Sequence, residues 1–250
     1  MSGPRIGAER IHLATVDSTN KHAAELLERT EVQHGTVILA DAQTEGRGRR
    51  GGVWRSMEGR DLTFSVVVLP IALPVTDQLR MAMAAALAVR EAVAQEDVPH
   101  VRVKWPNDIL IEERKVAGIL IQNDLVGDTI HHAILGIGVN VNSTGHDEKG
   151  PPSTSIRMET GRDIDRLALL ERLLNELDRR WTQVERDPPA LQHDYIEQLW
   201  GRGRWLPMEL DGHAVEARPI GVDRDGRLLV ELNDGRVQAF GMDRLRFGPR

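Results

Sequence analysis

The chemistry of this chain starts with ten residues, Gly46-Arg47-Gly48-Arg49-Arg50-Gly51-Gly52-Val53-Trp54-Arg55. Four glycines and four arginines share that stretch. Glycines admit positive φ and let successive backbone N–H groups converge on one point, which makes a nest for an anion. Arginines add a fixed charge and forked donors that match phosphate or carboxylate. The expected ligand is therefore negative, with phosphate the first choice; a solvated, flexible loop is the plain alternative. Gly46, Gly48 and Gly51 also fit G-x-G-x-x-G, and Val53 extends the match to the kinase form. Neither fold follows. The chain after Gly51 runs into Ser56-Met57-Glu58-Gly59, which is poor helix material. No H-R-D, D-F-G or G-x-x-x-x-G-K-[ST] occurs.

The elements that must position this loop can be read around it. Thr36 to Ala40 is strand-like and leads into it through the polar bridge Asp41-Ala42-Gln43-Thr44-Glu45. Upstream, Ile11 to Thr15 alternates as a strand. Asp17-Ser18-Thr19-Asn20 then offers several N-caps for a helix over Lys21 to Arg29, so capping is one role open to Ser18 and Thr19. Leu62 to Leu69 reads as a buried strand. Thr76 to Glu96 is an alanine-rich helix that can pack closely on a sheet, with Met81 and Met83 as packing residues.

Val101-Arg102-Val103 reads as a strand that breaks at Lys104-Trp105-Pro106-Asn107-Asp108 and restarts at Ile109-Leu110-Ile111. Pro106 withholds an N–H and holds Trp105 extended. After the polar turn Glu112-Glu113-Arg114 comes a strand over Lys115 to Ile121 with Gly118 at its centre. Thr129 to Val141 is another, containing Gly136-Ile137-Gly138-Val139-Asn140. Glycine inside a strand marks close approach of a ligand or tight packing of another backbone, and both readings stand here. Gly145 to Ser155 reads as a loop, and Asp163 to Arg186 as a long amphipathic helix that buries Trp181. Pro188-Pro189 opens a further helix. From Gly201 the texture changes to short β runs between Trp205 and Phe247, with turns at Asp223 to Gly226 and Asn233 to Gly235. Two domains are expected, residues 1–200 and 201–250.

Bulk properties set the outer limits. At 250 residues, 40% hydrophobic and 28% charged, the chain is an ordinary globule of one large domain with an appendage. A formal net charge of −6 argues against a basic nucleic-acid-binding body and makes the arginine loop a local feature. With no cysteine, disulfides, thiolate metal sites and cysteine nucleophiles are excluded. Met1 to Thr15 lacks the apolar run of a signal peptide, and Val66 to Val75 is too short and too interrupted by Pro70 and Pro74 to span a bilayer. A cytoplasmic location without membrane attachment is the expectation.

Taken together, Asp17-Ser18-Thr19-Asn20, Gln43, the glycine–arginine loop, K-W-P-N-D at 104–108, R-K-x-A-G-I-L at 114–120 and G-x-G-x-N at 136–140 resemble the biotin–protein ligases. The resemblance covers nearly the whole chain, and K-W-P-N-D joined to R-K-x-A-G-I-L is its most specific part. Lipoate ligases look similar in fold but lack K-W-P-N-D. The resemblance implies an α+β fold: a mixed β-sheet catalytic domain flanked by helices, of the class II synthetase-like, biotin–lipoate ligase type. A small SH3-like β-barrel would follow it. It implies the activity of a biotin–[acetyl-CoA-carboxylase] ligase. Biotin would react with ATP, assisted by Mg2+, to give biotinyl-5′-AMP, and then pass to a lysine of a biotin carboxyl carrier protein or domain.

The same resemblance implies roles for residues. Lys115 would contact both carboxylate and α-phosphate, with Arg49 beside it in catalysis. Ser18, Thr19, Asn20 and Gln43 would hold biotin. Arg47, Gly48 and Arg49 would cover biotin and the adenylate, and Gly118 would lie beside the ring. Asn107 and Asn140 would face the nucleotide, and Trp54 would stack near adenine. Asp108 would either assist magnesium or stabilise a turn. Nothing apolar precedes Val53 in the loop, so it is expected to be mobile until an anion orders it into a lid. Two departures from the family pattern stand out: Met57 where a proline is common, and Asp61 where an asparagine is common. Asp61 is expected to alter nearby protonation or to face water. About ten residues precede the first strand, too few for a helix-turn-helix, so no DNA operator binding is expected. A homodimer is left open. The rival readings are a lipoate or octanoate ligase and a non-catalytic protein that stores biotin or an adenylate.

Overall fold

The structure is a computed structural model that describes residues 5–69, 73–145 and 152–248. Most of the loop read at 145–155, Pro70 and the side chain of Arg50 lie outside the described residues. β1 (Arg10–Val16) leads into α1 (Thr19–Arg29), and β2 (Val37–Gln43) leads to the glycine–arginine loop. β3 (Leu62–Val68) and the short β4 (Leu73–Pro74) precede α2 (Leu79–Ala94). β5 (Val101–Lys104), β6 (Asp108–Ile111), β7 (Arg114–Val126) and β8 (Thr129–Val139) follow, then α3 (Ile156–Thr160), α4 (Arg166–Arg186) and α5 (Pro188–Glu197). The chain ends with β9 (Leu206–Leu210), β10 (His213–Val222), β11 (Leu228–Leu232), β12 (Val237–Phe240) and β13 (Leu245–Phe247).

The first sheet runs β1-β2-β3-β8-β7-β6-β5, with β4 on β8. Only β1 and β2 pair in parallel; the other neighbours are antiparallel, so the sheet is mixed. The fold is α+β. Alternation along β3 sorts its side chains between two layers. Leu62, Phe64, Val66 and Val68 face the main core with α2, α4 and α5, while Val67 joins Ile38, Ile134 and Ala23 of α1 on the other face. The alanines of α2 let it lie close against the sheet, and Met81 and Met83 are buried packing residues. The second sheet, β12-β11-β10-β9-β13, is antiparallel throughout. The Trp105 indole N–H donates to Gly226 O at 2.9 Å and ties that second sheet to the K-W-P-N-D turn.

Several elements differ from the sequence reading. Lys104 to Asp108 is the turn of a β5–β6 hairpin, not a break in one strand, because Lys104 pairs directly with Asp108. β2 continues through the polar bridge to Gln43, since β1 offers a parallel partner as far as Val16. α2 begins at Leu79 after a 3-10 turn over Val75–Asp77. α4 begins at Arg166, where the Asp165 carboxylate caps the N–H groups of Leu167 and Ala168. The five-residue α3, capped by Ser155, is too short for a period to show.

Asp61 neither faces water nor stands alone. It is 3% exposed and accepts backbone N–H bonds from Met57 at 2.9 Å, Val141 at 2.9 Å and Ser143 at 3.2 Å. One carboxylate thus joins the exit of the glycine–arginine loop to the end of β8. Asp61→Ala would strand those donors, at a cost of roughly 2–4 kcal/mol. Asp61→Asn should lose less, because one amide oxygen can keep the Val141 and Ser143 bonds. Urea unfolding of the three proteins tests this; equal midpoints for Asp61→Ala and the parent would refute it.

Candidate functional site

A cavity of about 400 Å³ opens on the α1 face of the first sheet. The register of the sheet sets its floor. Ser65, Gly136 and Leu120 form one row across β3, β8 and β7, and Thr63, Gly138, Gly118 and Asp108 form the next, running on to β6. Successive rows on one face are two residues apart, about 7 Å. The glycines are there because side chains from other elements occupy the space above them. A Cβ on Gly136 would lie 2.1 Å from Asn20 Oδ1, and one on Gly138 would lie 2.2 Å from Trp54 Cε2. Of the two readings open for these glycines, tight packing is the one the structure shows, with side chains from α1 and the loop in place of another backbone.

Over the Gly136 row sits a neutral polar cluster. Thr19 N–H donates to Gln43 Oε1 at 2.8 Å, and Thr19 Oγ1 lies 3.1 Å from the same oxygen. Ser65 Oγ lies 2.7 Å from Asn20 Oδ1 and 2.8 Å from Thr19 Oγ1. Asn20 Nδ2 donates to Leu120 O at 3.3 Å. Three oxygen–oxygen contacts share the two hydroxyl protons of Thr19 and Ser65, so one of the three carries no proton at any moment. Ser18 is the N-cap residue of α1 by position, but its side chain makes no capping bond and lines the cavity. The capping role open to Ser18 and Thr19 is thus not the one their side chains take.

Over the Gly138 row sits the charged part. Lys115 Nζ is 2.6 Å from Asp108 Oδ1 and 5.7 Å from the centre of the Trp54 ring. Lys115 reaches this face through a β-bulge. Ile109 pairs with Ala117 but Leu110 pairs with Lys115, so Val116 is an extra residue. Val116 and Ala117 can then both enter the main core, and Lys115 returns to the cavity. Asp108 is the only carboxylate among the described lining residues, against Arg47, Arg49, Lys104, Lys115 and Arg246. Beneath it, the Tyr195 hydroxyl is 3.4 Å from Pro106 O. Burial, with the Asp108 charge adding to it, pushes that phenol well above its ordinary range, so it stays neutral.

The glycine–arginine loop closes over this floor. Trp54 N–H donates to Gly46 O and Gly48 N–H to Gly52 O, at 2.9 and 2.7 Å, and Arg47 bridges Val53 as an antiparallel pair. The loop is therefore held by its own backbone pairing and by the Trp54 indole on the glycine floor. These contacts give the loop an anchor of its own beside the anion expected to order it. Arg49 Nη1 donates to Asn107 Oδ1 at 3.1 Å, Nη2 meets the Met242 sulfur, and Asn107 Nδ2 donates to Ile119 O at 2.7 Å.

The structure gathers Ser18, Thr19, Asn20, Gln43, Arg47, Gly48, Arg49, Trp54, Asn107, Asp108, Lys115 and Gly118 around one cavity. It does not bring Asn140 there. That residue follows the end of β8, and its amide donates to Thr154 O at 3.0 Å, on the segment that runs beside Lys115. Sequence reasoning missed Ser65 of the polar cluster and Thr63, both hidden in an otherwise apolar strand, Lys104 of β5 as a lining residue, and Met242, Arg246 and Phe247 of the C-terminal segment. Their signal was weak: two small hydroxyls at period two in β3, one lysine read only as part of a motif, and three scattered residues of a β-rich tail.

Comparison with known proteins was made against this geometry. A model of the biotin/lipoate A/B protein ligase family matches residues 13–140. The bifunctional ligase/repressor BirA of Bacillus subtilis is 31% identical over 246 residues, 95% of this chain and 74% of that protein. A biotin–[acetyl-CoA-carboxylase] ligase of Mycobacterium tuberculosis is 33% identical over 232 residues, 90% of this chain and 85% of that protein. The structure of a biotin protein ligase from Aquifex aeolicus, in complex with biotin and ATP, matches with a TM-score of 0.79 at 28% identity. That match covers 96% of this chain and 100% of the other.

The glycine floor yields a prediction about the loop. Gly138→Ala would push the Trp54 indole off the sheet at an overpacking cost of about 1–3 kcal/mol. If that cost falls on the closed loop, its open population rises roughly 5- to 150-fold. Trypsin should then cut the loop correspondingly faster while circular dichroism stays unchanged. An unaltered cleavage rate would mean that Trp54 does not anchor the loop.

Proposed function

The chain belongs to the biotin/lipoate A/B protein ligase family, and on that premise we propose that it is an ATP-dependent biotin–protein ligase. Biotin's carboxylate attacks the α-phosphate of ATP, giving biotinyl-5′-AMP and pyrophosphate. The ε-amine of one carrier-protein lysine then attacks the acyl carbon and AMP leaves. The carrier is a biotin carboxyl carrier protein or domain of a biotin-dependent carboxylase. The observation that carries this reading is the placement of Lys115 between a neutral hydrogen-bonding cluster and a cationic rim, on one continuous floor.

Each part then has a task. The Ser18, Thr19, Asn20 and Gln43 cluster holds the uncharged ring of biotin, whose ureido group needs both donors and acceptors. One row spacing of the sheet, two residues or about 7 Å, separates that cluster from the charged end. The Trp54 indole and the Lys115 stem cover Gly118 and Gly138, so the valeryl chain runs beside them towards the charged end. Lys115 neutralises charge as carboxylate and phosphate, two anions, approach each other. Asp108, bonded to Nζ, fixes the ammonium in place and keeps it directed at the reacting atoms. Arg47 and Arg49 shield the adenylate, and the Trp54 loop excludes water from the mixed anhydride. Thr63 Oγ1 and Trp54 Nε1 are buried on this floor without a hydrogen-bond partner among the described residues, and a ligand can supply one.

Magnesium fits this donor set only as a companion of ATP. A single lining carboxylate that already binds Lys115 is too little for a protein cage, whereas Mg2+ commonly arrives on substrate phosphates. When bound, it would offset phosphate charge, with Asp108 the residue able to reach it.

Two variants test the reading. Lys115→Ala should fold but release pyrophosphate at least roughly 10- to 100-fold more slowly, the loss of one charge-assisted contact of about 1.5–3 kcal/mol. The parent must show biotin-dependent release and none with lipoate; release driven by lipoate would replace the substrate assignment, and a parental rate in the variant would remove Lys115 from the reaction. Arg49→Gly should still form the adenylate but lose it about 10- to 100-fold faster. Stopped-flow dissociation reads this directly, and biotin appearing on bystander lysines is the visible consequence. An unchanged lifetime would take Arg49 out of retention.

A further inference from the structure

The β7–β8 hairpin carries a second irregularity at its far end. Asp124 pairs with His132 and Leu125 pairs with Ile130, so His131 is an extra residue on β8. The core records the same event. Ile130 and Ala133, three positions apart, both join the main core, which strict alternation forbids. A bulge between them turns His131 and His132 to one face, above the Asp124 opposite. His131 Nδ1 is 3.9 Å and His132 Nδ1 is 3.6 Å from Asp124 Oδ2. One ligating atom from each residue lies within 4.8 Å of the other two. The two imidazole rings meet edge to face with centroids 5.7 Å apart.

We propose that Asp124, His131 and His132 form a binding site for a divalent transition-metal ion, Zn2+ or a close neighbour, at the tip of the β7–β8 hairpin. Two imidazoles and one carboxylate are the donors such ions select, and Mg2+ does not favour them. Ligands at about 2.1 Å in a tetrahedral site lie about 3.4 Å apart. The Asp124–His separations are close to that, so modest rotation of the exposed Asp124 and His131 side chains towards the half-buried His132 completes three bonds. The fourth position is left to water. Six residues separate the Asp124–His132 pair from the Gly118–Gly138 pair, about 20 Å along the strands. The ion would clamp the hairpin at the end remote from Lys115, so the site is distinct from the cavity.

The test uses the full chain without an affinity tag, titrated with Zn2+ by calorimetry and with Co2+ by visible absorption. The chain has 9 histidines, so stoichiometry alone does not locate the ion. The parent should bind one Zn2+ saturably and give a Co2+ d–d band. His131→Ala, His132→Ala and the isosteric Asp124→Asn should each weaken binding by more than the roughly 10- to 100-fold that loss of a mere outer partner costs. The His131→Ala/His132→Ala double variant should lose the band. Zn2+ should also raise the thermal midpoint of the parent and not that of the double variant. If the double variant or Asp124→Asn, folded by circular dichroism, binds Zn2+ as tightly as the parent, the assignment is wrong. Absence of saturable binding by the parent is equally decisive against it.

Discussion

The site depends on the absence of side chains at three adjacent points of one sheet face. Gly118, Gly136 and Gly138 lie on neighbouring strands in register, and a methyl group on Gly136 or Gly138 would collide with Asn20 or Trp54. This constraint couples elements far apart in sequence. The start of α1 can settle on the sheet only where Gly136 leaves room, and the loop after β2 only where Gly138 does. The polar cluster and the loop are thus held two residues, about 7 Å, apart on the same floor. Their separation is inherited from the backbone, which is the stiffest ruler the chain has.

Electrostatics adds the second layer. The chain as a whole is acidic, yet its main cavity gathers five cations around one carboxylate. Like charges brought together in a cleft repel, and Asp108 relieves part of this at Lys115. The remaining cations suit a ligand with several negative charges, such as a nucleotide triphosphate, more than biotin alone, which brings a single carboxylate. The neutral end has the opposite character: its side chains are linked by uncharged hydrogen bonds, so a ring that binds there exchanges hydrogen bonds and does not have to neutralise charge. One cavity can in this way receive an uncharged ring and a polyanion without either competing for the other's end.

Much of this was legible in the sequence, and the limits have physical causes. K-W-P-N-D, Lys115 and Gly118 stand out because proline, lysine and glycine are conspicuous inside β-rich text. The Asp17–Asn20 run was visible as a helix start but not as half of a hydrogen-bonded cluster, since its partners Gln43 and Ser65 lie on other strands. Ser65 and Thr63 sit in a strand whose alternate positions are Leu, Phe and Val, and small hydroxyls there read as β-formers. Of the two expectations for Asp61, exposure to water failed for a related reason: a carboxylate is expected outside, and only the convergence of three N–H groups makes burial tolerable. Asn140 shares the parity of Gly136 and Gly138, yet β8 ends before it and the segment near Thr154 takes its amide. Parity predicts a face only while the strand lasts.

The same rule, broken deliberately, explains where the chemistry sits on β7 and β8. In an unbroken strand Lys115 and Gly118, three apart, would face opposite sides. The extra residue Val116 reverses parity once, and a lysine that alternation would bury in the core emerges beside the glycine floor. His131 does the same at the other end of the hairpin, so that two consecutive histidines share a face that one would otherwise hold. An insertion of one residue is invisible to a search for periodic hydrophobicity, because the pattern resumes on either side of it. It is nevertheless the step that decides which face a charged side chain reaches. In this hairpin the departures from regular pairing place functional groups, while the regular pairs between them hold the frame.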